Sequence, residues 1–417
     1  MVQATTSSPL VLTFDDALGA VAREAAKVAP PAPEMVEIAS ACGRVLAQNI
    51  EADRDFPPFS RAARDGYALR AADVERIPAT LKLVAEIRAG GPDSDIRIAA
   101  GECAEIMTGA PLPAGADAVV MVEYASRAGD QVHVQRSVHA GENFVPVGAE
   151  ARRGVVLLKP GTRLTPAAIA LAGACGQSQI NVYRRPRVAI LSTGDEIVDV
   201  AAQPGPNQIR NSNSYSLAAQ VGRAGGEPVI LPIAPDEETP LRRLLEEGLS
   251  ADLLLISGGV SMGKYDLVEN VLRELRAEFF FTGAQIQPGK PIVFGAAPAR
   301  SGAKPTYFFG LPGNPVSTMV CFELFARTMV DALAGAAPSP LVFAQARLKA
   351  EVRTKAGLTR FLPALLSGGH RQPEVELVKW QGSGDMAANA RANCYLIVAP
   401  DRPEMNSGEM VSVLLTY

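Results

Sequence analysis

The stretch RVAILSTGDE at residues 187–196 runs an unbroken apolar segment, Val188 to Leu191, into a turn of two hydroxyls, a glycine and two acids. Apolar residues without polar alternation read as a strand buried on both faces, the habit of parallel sheets. The same pattern recurs outward in GGEPVILPI (225–233), ADLLLISGG (251–259) and TYFFGLPG (306–313). Between them lie amphipathic stretches, SYSLAAQVGR (214–223), ETPLRRLLEEGL (238–249) and VENVLRELR (268–276). Strands alternating with helices predict a doubly wound α/β domain over 182–333. Its last helix, STMVCFELFARTMVDALAG, is expected to be mostly buried, with Glu323, Arg327 and Asp331 at four-residue spacing on one face.

The flanks have a different texture. Thr13 to Asp16 reads T-x-x-D before an Ala-rich pattern, a capped helix start, and that helix should end before Pro30 and Pro31. From Glu51 to Gly141, short Val/Ile runs such as KLVAEIRAG, ADAVVMVEY and DQVHVQRSV are cut by Gly and Pro, which predicts a small β-rich insert. A short helix follows near Pro166. From Pro338 on, period-two runs (FAQARLKAEVR, VELVKW, CYLIVAP, MVSVLLTY) predict a C-terminal β-barrel or sandwich.

Composition narrows the function. A chain of 417 residues exceeds one core, so two to four domains are expected, and 47% hydrophobic residues can fill them. With a net charge of −4 and no dense Lys/Arg block, nucleic acid is a poor partner. The N-terminal residues lack a signal-peptide pattern and no apolar run reaches the roughly 18 residues a bilayer span needs, so no membrane role and a cytoplasmic location are expected. The five cysteines are scattered and never C-x-x-C, which predicts buried small hydrophobes rather than disulfides or zinc. With three histidines, chemistry falls to carboxylates and backbone amides.

In doubly wound sheets ligands bind outside the carboxyl ends of the strands. Ser192-Thr193-Gly194-Asp195-Glu196 sits at one such end, although a helix cap explains it equally well. Ser257-Gly258-Gly259 opens a Gly/Ser loop running to Lys264, Tyr265 and Asp266; its Gly258-x4-Gly263-Lys264 spacing mimics a P-loop, but Tyr265 stands where Ser or Thr should hold Mg²⁺. Asp236 follows LPIAP, and Gly310-Leu311-Pro312-Gly313-Asn314-Pro315-Val316-Ser317 places a rigid turn before a helix. Asp65-Gly66-Tyr67 and Met107-Thr108-Gly109-Ala110-Pro111 lie in loops of the β-rich part, and each alone also fits a plain turn.

Seven strings in series, SRAARDGYA, EIMTGAPLPAGADAVV, ILSTGDEI, NSN (211–213), SGGVSMGKYD, QPGKP and GLPGNPVS, together resemble the molybdopterin molybdenumtransferase family, which includes the E domain of gephyrin. The resemblance implies an elongated discontinuous domain (9–52 and 143–181), a β-rich second domain (53–142), the α/β substrate domain (182–333) and a C-terminal β-barrel (338–417). It implies a homodimer whose active cleft lies between subunits, and possible work alongside the molybdopterin adenylyltransferase. The implied reaction inserts molybdate into adenylyl-molybdopterin with release of AMP, assisted by Mg²⁺. Asp65, Glu196, Asp236 and Asp266 match the family's functional carboxylates, candidates for catalysis and the metal. Thr108, Thr193, Gly194, Asp195, Asn213, Ser257, Gly258, Gly259, Pro312 and Asn314 match substrate positions, with Ser257, Gly258 and Gly259 expected to cradle phosphate. Lys290, Pro291, Arg360 and Ser383 match molybdate positions. Two departures stand out: many relatives read K-P-G-K-P with another Lys upstream where this chain has Gln287 and Gly283, and Arg64 replaces the usual Met before Asp65. The competing readings are a catalytically weak scaffold or cofactor-handover protein, the related adenylyltransferase, and a P-loop nucleotidase.

Overall fold

The structure, a computed structural model, describes residues 10–91, 95–259, 267–298 and 304–416. The α/β sheet orders its strands as Glu227–Ile230, Arg187–Ser192, Leu253–Ser257, Thr306–Leu311, Val293–Ala297 and Glu278–Phe281. The first four run parallel, Val293–Ala297 runs antiparallel to both its neighbours, and Glu278–Phe281 returns to the direction of the first four. Both faces are covered, as the all-apolar strands demand. On one face the helices Phe14–Ala25, Asn213–Arg223 and Pro315–Cys321 bury Phe294, Phe309, Phe322 and Phe325. On the other, Glu238–Gly248 and Leu267–Glu274 pack Leu241, Leu245 and Val271 against Leu254, Ile256 and Phe308. Each fully buried side chain of this size contributes about 1.5–3 kcal/mol.

Three expectations are corrected here. Thr13 does cap the first helix, its Oγ1 accepting from the Asp16 N–H at 3.2 Å. That helix, however, packs on the α/β core through Ala17, Ala20 and Val21, and Val11–Leu12 pairs with Gly283–Ala284, so the N-terminal segment does not join the elongated unit. The 317–335 helix is interrupted by a π-helical turn at Phe322–Ala326. Glu323 still meets Arg327 at 3.5 Å, and its burial is answered by Gln220 and Arg223 as well. Cys42 is exposed, whereas the other four cysteines are buried.

Separated segments pair in the elongated part: Pro33–Glu37 with Gln179–Tyr183, and Ile50–Glu51 with Val156–Leu158. The β-rich insert is an open sheet ordered Ala118–Met121, Gly66–Leu69, Glu102–Ile106, Ala79–Ile87, Gln131–Val134 and Ala125–Ala128. The C-terminal strands close a five-stranded barrel because Thr359–Gly369 pairs with both Gln372–Leu377 and Cys394–Val398. No described helix is long and apolar enough to cross a membrane.

Candidate active site

Strand order makes the site. The chain leaves the 187–192 strand toward one side of the sheet and the 253–257 strand toward the other, so a crevice opens between their carboxyl ends. A cavity of about 340 Å³ occupies it, lined by Thr193, Glu196, Arg210, Asn213, Ser257, Gly258 and Asn314 among others. Four segments far apart in sequence therefore meet at one sheet edge. Gly258 and Gly259 adopt φ of 90° and 65°. A Cβ on Gly258 would lie 2.6 Å from the Thr193 carbonyl oxygen, so only glycine lets these loops close together.

Under the cavity lies a buried polar network that joins two of the quoted motifs to Ser214. Ser192 Oγ donates to Asn211 Oδ1 at 3.1 Å, Asn211 Nδ2 donates to Ser214 Oγ at 3.0 Å, and the Ser214 N–H returns to Asn211 Oδ1 at 3.1 Å. It ties the strand end to the start of the 213–223 helix. Asn213 Nδ2 then donates to both Ser257 Oγ and the Gly313 carbonyl, each at 2.8 Å, clamping two more loops. The Thr193 Oγ1 and Asn213 Oδ1 atoms are buried with no hydrogen-bond partner among the described residues. The Gly258 N–H is committed to the Leu311 carbonyl at 3.2 Å, so it is not the free phosphate donor expected of it.

The acids gather beside this cavity. Asp195 Oδ1 accepts the Asp236 N–H at 3.0 Å. Partial desolvation, then the charges of Asp195 and Glu196, hold the Asp236 carboxyl above its usual range. A raised Asp pKa means the folded state keeps its proton longer, so this group costs stability as pH rises past the ordinary carboxylate value. Asp236→Asn removes that cost. We expect its melting temperature to exceed wild type at pH 7 and to match it near pH 4, as thermal denaturation across pH would record. Asp266, with Ser261 to Tyr265, lies outside the described residues.

A second group of residues flanks the first. Gln287–Pro288 is a cis peptide, and Gly289 at φ 111° turns the chain so that Lys290 is exposed. A Cβ on Gly289 would sit 2.4 Å from Cys321 Sγ, so that turn is braced against the core. Gln287 pairs with Arg360 across parallel strands, which brings the barrel's Arg360 beside the 287–291 turn. Arg360 is only 7% exposed, and its Nη1 donates to the Leu358 carbonyl at 3.2 Å. Among the described residues it has no carboxylate partner. The Ser383 carbonyl accepts the Val316 N–H at 3.0 Å, placing Ser383 at the head of the 315–321 helix next to Asn314. Pro312 lends its carbonyl to Thr318 Oγ1 at 2.5 Å and fixes the same turn.

Asp65 and Thr108 form their own pair in the β-rich insert. Asp65 Oδ1 accepts from the Thr108 N–H at 2.6 Å and from its hydroxyl at 2.8 Å. These bonds, the N–H first, hold Asp65 below the ordinary carboxylate range while it stays exposed. Neither residue lines the α/β cavity within this chain. Thr108→Val removes the hydroxyl and keeps the N–H, so the Asp65 pKa should rise part of the way back. The acid limb of a pH–activity profile is then expected to move to higher pH; an unmoved limb would separate Asp65 from turnover.

Comparison with known proteins follows this geometry. Residues 12–176 match the MoeA N-terminal region (domain I and II), 189–332 the probable molybdopterin binding domain, and 345–416 the MoeA C-terminal region (domain IV). These define a multi-domain protein of molybdenum cofactor biosynthesis. Molybdopterin molybdenumtransferases are among its relatives: that of a Nostoc species is 38% identical over 73% of this chain and 70% of its own length. That of a Synechocystis species is 33% identical, with 90% of this chain and 93% of its own length covered. The crystal structure of the molybdopterin biosynthesis moeA protein from Pyrococcus horikoshii OT3 superposes with a TM-score of 0.77 at 29% identity, covering 97% of this chain and 100% of that one. The chain belongs to the molybdopterin molybdenumtransferase family and is a transferase of molybdenum cofactor biosynthesis.

Proposed function

We propose that the protein inserts molybdate into adenylyl-molybdopterin, with release of AMP, in a groove between two copies of the chain in the cytosol. The observation that carries this reading is Arg360. Burying a guanidinium without a carboxylate is costly unless an anion is to arrive. A tetrahedral oxyanion presents the oxygen pairs that a guanidinium fork fits, Lys290 stands on the adjoining turn, and the resemblance adds Ser383. Pro291 follows Lys290 and stiffens that turn.

Asp195, Glu196 and Asp236 suit a divalent cation. No group of three or more potential ligands that could hold a metal occurs among the described residues. Mg²⁺ needs only one or two carboxylates, keeps waters and takes its remaining ligands from substrate phosphates. The carboxylates that crowd Asp236 would hold it, and it would supply charge neutralisation at the phosphoanhydride. Asp65 would orient water from the other side of the cleft, and the resemblance alone gives Asp266 a part in holding the cation or orienting water. Mg²⁺ alone is expected to raise the melting temperature of wild type and to raise that of Asp236→Asn less.

Asp65 is exposed on the β-rich insert, away from the α/β cavity of its own chain, which supports a homodimer that brings it to the partner's cavity. An adenylylated substrate also makes the molybdopterin adenylyltransferase a natural supplier. The test is AMP release from adenylyl-molybdopterin with Mg²⁺ as molybdate is varied. Saturating, molybdate-dependent AMP release well above that of Asp266→Ala supports the reading. Release no greater than that variant's would leave a pterin-binding scaffold.

A further inference from the structure

The C-terminal barrel shares a core with the α/β domain. Phe361, Tyr395 and Leu414 of the barrel are buried together with Phe322, Phe325 and Met329, and Trp380, the single tryptophan of the chain, packs against both that core and the barrel's own. Apolar contact is non-directional, so it seats the barrel without fixing its aim. A polar contact supplies the aim. Arg223, in the last turn of the Asn213–Arg223 helix, donates from Nη1 to the Thr416 carbonyl at 2.6 Å and from Nη2 to the buried Glu323 carboxylate. Glu323 stands on the π-helical turn, a rare conformation that recurs at functional sites. Gln220 Nε2, donating to the same carboxylate oxygen at 2.8 Å, and Arg327 hold that acid in place.

Thr416 follows the strand Met410–Leu415, which pairs with Cys394–Val398, and that strand pairs with Thr359–Gly369, which carries Arg360. Three hydrogen-bonded strands thus connect the Arg223 contact to Arg360. On the site side the barrel meets the α/β domain through backbone bonds, in the pairing of Ile286–Gln287 with Thr359–Arg360 and in the Val316 N–H on the Ser383 carbonyl. We propose that Arg223 is a positioning residue for molybdate: by clamping the end of the barrel's last strand to Glu323, it sets the place of Arg360 against the Lys290 turn. The inference rests on the molybdate reading of Arg360 and adds what aims that side chain from outside the site. An arginine suits the task because its planar fork serves two acceptors at fixed angles, which a point charge on a flexible stem does not.

The test is Arg223→Met in the full-length protein, which keeps an apolar stem and drops both arms. With molybdate varied, AMP release should show the molybdate KM raised about tenfold and kcat within about twofold of wild type, the pattern of lost binding rather than lost chemistry. A merely structural arginine would do the opposite, lowering kcat through a smaller folded fraction at unchanged KM. Trp380 emission should shift to the red as the barrel's seat loosens. A wild-type KM, or emission that does not move, overturns the proposal. If Arg223→Met does not fold, Arg223→Lys carries the same two readouts, since it leaves Glu323 a cation and replaces the fork by one ammonium. AMP release by wild type separates the two readings. Without it the transferase reading fails, and the variant's calorimetric molybdate affinity against wild type, with Trp380 emission, still decides the clamp.

Discussion

Arg360→Met is expected to lower molybdate-dependent turnover by about 10²–10³-fold, the usual cost of removing one preorganised donor to a reacting oxyanion. Its folding stability should stay level or rise. Arg360 lies 93% out of solvent on the Thr359–Gly369 strand, bonded to one backbone carbonyl, so methionine of similar length fills the space without a buried charge. Opposite signs in the two measurements distinguish a ligand-binding arginine from a structural one. Paired assays of molybdate saturation and thermal denaturation check it; a variant that loses stability and activity together would make Arg360 a packing residue.

Gly66→Ala should destabilise the protein by roughly 3 kcal/mol, at the severe end for overpacking. The added Cβ would stand 1.9 Å from the Val120 carbonyl oxygen and 2.8 Å from its carbon. Both belong to the strand paired with Gly66–Leu69, so backbone must move rather than a flexible side chain. Gly66 is also the neighbour of Asp65, so the same displacement should misplace the Asp65–Thr108 pair. Hydrogen exchange would show lost protection concentrated in the Gly66–Leu69, Glu102–Ile106 and Ala118–Met121 strands. Wild-type protection there would mean that the sheet absorbs the methyl.

The parallel strands and their helices were legible because burial on both faces leaves an uninterrupted apolar run, and helices between such runs leave few topologies. The strands Val293–Ala297 and Glu278–Phe281 were not read as strands, since EFFF offers only three apolar residues after the Leu267–Glu274 helix and PIVFGAA shows no alternation. The barrel strand Thr359–Gly369 was hidden by Pro363, which usually argues against a strand interior. The first helix misled because a cap signal marks where a helix starts and says nothing of which core receives it. Among site residues, the resemblance brought forward Thr193, Asn213 and Arg360, and the structure shows what each lacks among the described residues: a hydrogen-bond partner for Thr193 Oγ1 and for Asn213 Oδ1, and a carboxylate for Arg360. Ser192 and Asn211 stood inside quoted motifs without being taken as site residues, and Ser214 was passed over, because a buried polar triad has no spacing rule in sequence; only the convergence of the loops creates it.

The convergence of Asp65 with the α/β cavity and Arg360 is tested most directly by mixing two inactive variants. Asp65→Ala and Arg360→Met, denatured and refolded together, would form mixed dimers that carry both lesions on one cleft and neither on the other. Recovery of roughly a quarter of wild-type AMP release, the statistical share for a two-fold dimer, is the predicted result. No recovery, with dimers demonstrably mixed, would place Asp65 and Arg360 in the same chain's site or in none, and would contradict the account.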